Sequence, residues 1–109
     1  MNSYAVDRDK WAEISILDQM ANIYSEVGRT ILAKNSGDDQ KFEAALSRAL
    51  DLFEATIEIL NKQKSPRTRE VLLAKYQFLS LFFAKRRQED QVSLERYFRQ
   101  FAIAARISR

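Results

Sequence analysis

One row of polar residues, Glu43, Ser47, Asp51, Glu54 and Glu58, has the spacing of a single helix face. Carboxylates three or four residues apart can hold a metal ion or work as an acid–base pair when they turn into a helical core, usually with a histidine beside them. Here Phe42, Ala45, Leu46, Ala49, Leu50, Phe53, Ile57 and Leu60 repeat on the other side of the same segment. The acidic row therefore reads as a solvated face. The chain has no histidine and no cysteine, which removes the commonest metal ligand, the commonest general base and the thiolate nucleophile. No Gly-rich phosphate loop, zinc spacing or nucleophile–base constellation is present. The expectation is a protein that is not an enzyme, with no catalytic residue, no cofactor, no metal and no small-molecule substrate.

Two other sets of charged residues invite attention. Glu26 and Arg29 stand one helical turn apart. On an open surface such a pair contributes only a few tenths of a kcal/mol. Covered by a neighbouring helix, Glu26 and Arg29 would join a polar network with Arg106, Asp51 or another charge across the bundle. The second set is basic. The net charge of +3 conceals an asymmetry: residues 1–60 carry 6 Lys/Arg and 11 Asp/Glu, and residues 61–109 carry 12 and 4. Arg67, Arg69, Lys85, Arg86, Arg87, Arg96 and Arg99 are the cations that would meet a phosphate backbone. No groove-reading motif accompanies them, so any nucleic-acid contact would be independent of base sequence. The plain alternative is that the acidic and basic halves balance each other. Cations at Lys85–Arg87 also offset a helix dipole.

These residues need helices to position them. Two Gly and one Pro in 109 residues, with 30% charged and 46% apolar residues, favour long helices in one domain spanning 1–109. The first is predicted over about Asp9 to Lys34. Its apolar half carries Ile16, Leu17, Met20, Ala21, Ile23, Tyr24, Val27, Gly28, Ile31 and Leu32, with Glu13 the one polar residue on it, and its polar half includes Glu26 and Arg29. Gly28 on the apolar half predicts a close helix crossing, since a helix-interior Gly otherwise costs about 1 kcal/mol. "NSGDDQ" ends this helix, with Ser36, Asp38 or Asp39 as the next N-cap. The second helix spans about Gln40 to Lys62. "KSPRTRE" starts the third, with Ser65 as cap and Pro66 in the first turn, running to about Arg86. Asp90 caps a fourth, about Gln91 to Ile107. Short links predict an all-α, antiparallel (up-down-up-down) four-helix bundle.

The third helix is apolar on two sides. Val71, Ala74, Phe78, Leu81 and Phe82 form one stripe; Leu72, Tyr76, Leu79 and Phe83 form another. A helix of this kind is central to its fold or touches another chain. Leu72, Tyr76, Leu79 and Phe83 are thus the expected interface of a homo-oligomer, dimer or higher. No apolar run reaches the ~18 residues of a membrane span, so a cytoplasmic protein with no membrane contact is expected.

"ANIYSEVGRTI" (21–31), "ALSRALDLFEATIEI" (45–59) and "YFRQFAIAAR" (97–106) resemble a family of small uncharacterised bacterial α-helical proteins. That family shows "ANIxSEVGRxI" early, a "RALELxDLTI" helix, and a "YFxxFAxxAR" ending. The resemblance implies a helical fold and no particular activity. In size, charge and helix count the chain is also similar to the four-helix-bundle accessory variability proteins of diversity-generating retroelements. Those form rings and bind a reverse transcriptase and nucleic acid. Two functions follow as expectations: a non-enzymatic, self-associating protein-interaction and assembly module, or a basic accessory protein that binds RNA, DNA or an acidic protein.

Overall fold

The computed structural model describes residues 5–83 and 87–107. Among them every regular element is a helix: α1 (Arg8–Ala12), α2 (Ile16–Ser36), α3 (Asp39–Lys62), α4 (Arg67–Phe83) and α5 (Arg87–Ile107). α2 packs on α3, α3 on α4, α4 on α5, and α5 returns to α2, while α1 lies on α3.

The predicted first helix is broken. Residues 13–15 leave the helical path, and Ser15 caps α2 by accepting the Asp18 N–H at 3.2 Å. The apolar period fades at this break, since Trp11 falls off the α2 stripe and Glu13 sits on it, and the start of α2 is marked by its Ser15 cap. Asp38, one of the three candidate caps, is the cap of α3 and accepts the Lys41 N–H at 3.0 Å. Gly37 ends α2 in the left-handed region at φ 77°, where a side chain is strained. Lys64 takes the equivalent place after α3 at φ 54°, and the Ser65 N–H closes the turn on the Leu60 carbonyl at 3.0 Å. Ser65 Oγ then accepts the Arg67 N–H at 3.2 Å, as a cap of α4 should. Asp90 is not a cap: α5 begins earlier, and Asp90 accepts a hydrogen bond from Ser80 on α4.

The core is aromatic at its centre. Phe53 of α3 packs at 5.7 Å on Phe78 of α4 and at 6.1 Å on Phe98 of α5, and Tyr24 of α2 stacks on Phe98 at 5.5 Å. Ring pairs at these distances contribute beyond their area burial. Met20, Ile23, Val27, Val71, Leu81 and Leu94 are among the fully buried side chains around it.

α2 is rotated from the direction its apolar residues set. Its buried residues are Gln19, Met20, Ile23, Glu26, Val27, Thr30 and Ala33. Their mean direction lies about a quarter turn from that of the apolar half, at 100° per residue. Two expectations fail as a result. Gly28 is exposed, and a Cβ added there would meet nothing within 4 Å, so no close crossing occurs at this glycine. Leu32 is 70% exposed. In exchange Gln19, Glu26 and Thr30 are buried, each with hydrogen bonds that offset the cost of leaving water.

Candidate interaction surface

The outer face of α4 follows from the same helical arithmetic. Tyr76 lies opposite the mean direction of the buried Val71, Ala74, Phe78 and Leu81. Tyr76 is 66% exposed, Phe83 70% and Leu73 58%, while Leu72 and Leu79 are half-buried at the edges. The four residues expected at an interface therefore share one side of one helix, with Leu73 added beside them. Leu73 sits between that stripe and α5, and the stripe's own periodicity does not include it. The Phe83 ring packs on Phe82 at 6.3 Å, and Phe82 packs on Phe42 and Phe78 at 5.0 and 5.5 Å. An exposed aromatic ring is thus anchored to the core through its neighbour.

Glu26 is buried between α2 and α3 and draws in two arginines. Its Oε1 accepts from Arg29 Nη1 at 2.6 Å, and its Oε2 from Arg48 Nε at 3.2 Å. Arg48 on α3, rather than Arg106 or Asp51, is the charge across the bundle that Glu26 meets. Arg106 is exposed on α5, and Glu26 pairs with Arg29 of α2 and Arg48 of α3. The signal that could have found Arg48 is its position on α3 opposite Glu26 in an α2–α3 hairpin.

The acidic row on α3 is tied down rather than simply solvated. Asp51 accepts the Val6 N–H at 2.6 Å and a two-pronged contact from Arg8, at 2.9 and 3.0 Å. Arg8 also reaches Glu58 at 3.3 Å, and Lys75 of α4 pairs with Glu54. Burial raises the pKa of Asp51, but the Arg8 and Val6 hydrogen bonds and the Arg8 charge outweigh it and hold the carboxyl below its ordinary value. Beneath this clasp lies a closed polar ring. The Trp11 indole N–H donates to Thr56 Oγ1 at 2.9 Å, and that hydroxyl donates to Gln19 Oε1 at 2.9 Å. The Gln19 amide donates back to the Trp11 and Ile14 carbonyls at 3.1 and 2.9 Å. The ring holds α1 against α3 and fixes the break before α2.

Of the expected nucleic-acid contacts, Arg67, Arg69, Arg96 and Arg99 are exposed. Arg67 lies over the Phe101 ring at 5.4 Å. Lys85 and Arg86 lie outside the described residues, and Arg87 opens α5. Tyr97 is the one described side chain whose buried polar atom, its hydroxyl, has no hydrogen-bond partner. Burial, then the Glu70 charge, push its pKa far up against the opposing Arg67, so the phenol stays neutral. Among the described residues no three His, Cys, Asp or Glu side chains gather as a metal site, and no helix is long and apolar enough to cross a membrane. No protein-family model, curated protein or solved structure matches the chain.

Proposed function

We propose that this protein is a non-enzymatic helical interaction module that self-associates through the outer face of α4. The observation that carries the reading is the apolar side of α4 turned away from the core, with Leu73, Tyr76 and Phe83 more than half exposed. Exposed aromatic and leucine side chains on one helix face suit a helix–helix contact. The overall arrangement we infer is an up-down-up-down four-helix bundle with α1 as an added N-terminal turn. Three pairings support it: Gln19–Thr56 with Glu26–Arg48, Phe53–Phe78 with Phe42–Phe82, and Ser80–Asp90 with Arg67–Phe101. In each, contacts advance along one helix as they retreat along the next. The likeness to small bacterial helical proteins agrees with that arrangement.

A two-fold axis beside Tyr76 would set α4 antiparallel to its copy. Leu73 then faces the partner's Leu79, and Arg69 faces the partner's Phe83, where a guanidinium over a ring is favourable. The face from Arg69 to Phe83 is about 21 Å long at 1.5 Å per residue. One helix pair of this length falls below the standard interface size, so a dissociation constant of about 10–100 µM is expected. Sedimentation of the wild type and of Tyr76→Glu over that range tests the reading. Association of the wild type and loss of it in Tyr76→Glu is the expected result. A wild type that stays one chain throughout overturns it.

The exposed Arg69, Arg96 and Arg99 favour a second reading, a basic surface for RNA or DNA. Its mark is affinity that falls steeply with added salt. Undetectable binding at low salt removes it.

A further inference from the structure

The α2 rotation leaves a groove between α2 and α3 that the α4 reading does not use. Its volume is ≈ 640 Å³, within the range of small-molecule sites. The exposed Leu32 forms one wall, with Ala33, Ala44 and Ala45 beside it. Arg29 and Arg48 stand at one end, and Lys41 stands near the α2–α3 turn at the other. Among the described residues no carboxylate lines the groove. From Arg29 to Ser36 it runs about 10 Å at 1.5 Å per residue.

The two arginines are held in place from behind. Glu26, buried under them, takes one N–H from each guanidinium, and each guanidinium carries five. One carboxylate against Arg29, Arg48 and Lys41 leaves the groove positively charged. We infer that this groove binds a small carboxylate with an apolar chain of medium length. The head sits on the forked N–H groups of Arg29 and Arg48, which match a carboxylate's two oxygens. The chain lies along Leu32, Ala33, Ala44 and Ala45 toward the α2–α3 turn. Lys41 adds to the positive field without touching the head. The inference is independent of self-association through α4.

Titration of the full chain with sodium octanoate, followed by backbone amide NMR shifts, tests it. The expected result is saturating shifts at Leu32, Ala33, Ala44 and Ala45, with a dissociation constant of about 1 mM or tighter. Acetate, which lacks the chain, and octylammonium, which lacks the negative head, give no saturating shift there. Lys41→Glu, at an exposed site that leaves the core untouched, weakens octanoate binding about two- to threefold at low salt. Leu32→Asp abolishes it. Equal response to octanoate and octylammonium, octanoate shifts centred on Tyr76 and Phe83, or no saturation by about ten times the expected constant would each overturn the inference.

Discussion

Replacing Thr56 by Val probes the buried ring that joins α1, α2 and α3. The two side chains are close in shape, so no large cavity follows, and Thr56 is fully buried. What changes is hydrogen bonding. The Trp11 indole N–H loses its acceptor at 2.9 Å, and Gln19 Oε1 loses its donor at 2.9 Å. A net hydrogen bond is worth about 1 kcal/mol, and a buried polar group left unpaired costs about 1–3 kcal/mol. Two such groups predict about 2–4 kcal/mol of destabilisation after partial relaxation. For a chain of this size that lowers the melting temperature by roughly 4 °C per kcal/mol. Urea unfolding followed by circular dichroism gives the free energy. The chain's single tryptophan is Trp11, so its fluorescence reports the ring itself. A double-mutant cycle with Gln19→Leu should show strong coupling, because both changes break the same bond. A loss below about 0.5 kcal/mol with an unchanged urea slope would refute the reasoning, since it would mean the ring contributes no more than an exposed contact.

Gly28→Ala should stabilise the protein by up to about 1 kcal/mol, because a Cβ there meets open space and Ala is the better helix former; destabilisation in urea would show a hidden close contact. Tyr97→Phe removes a buried hydroxyl without a partner and should leave stability unchanged or raise it by about 1 kcal/mol, whereas a loss above that would mean the hydroxyl is satisfied. Asp51 has a lowered folded pKa, so its contribution is complete above the ordinary carboxylate value and fades as pH falls through the lower folded one. Asp51→Asn should be less stable than wild type at neutral pH, and the difference should shrink in acid; a gap that stays constant with pH would contradict the clasp.

The helix content was legible because its signals are local. Asp38, Ser65 and Pro66 mark starts that need no tertiary information, and the α3 stripe includes the buried Ala45, Ala49, Phe53 and Leu60, though not the buried Leu52, Ala55 and Thr56. The second side of α4 was equally readable, since Tyr76 and Phe83 stand opposite a complete core stripe. What escaped was orientation. Leu32 and Gly28 lie on the apolar side of α2 yet face outward, because Gln19, Glu26 and Thr30 find hydrogen bonds on the inner side. A hydrophobic pattern ranks side chains by type and cannot know that Arg48 waits across the hairpin. The break at residues 13–15 escaped for a related reason. Gln19 stabilises it through the Trp11 and Ile14 carbonyls, a contact of side chain to backbone that has no period. Arg8 and Trp11 carry no periodic signal, because a five-residue helix is too short to show one.

The chain has no cysteine, so a single introduced one reports only on contact between copies. Tyr76→Cys and Leu32→Cys place it at similarly exposed sites on α4 and α2. If two copies meet across a two-fold axis beside Tyr76, mild oxidation near the expected dissociation constant should convert Tyr76→Cys to a covalent dimer well before Leu32→Cys. Equal cross-linking of the two, or faster cross-linking through position 32, would contradict self-association through the α4 face.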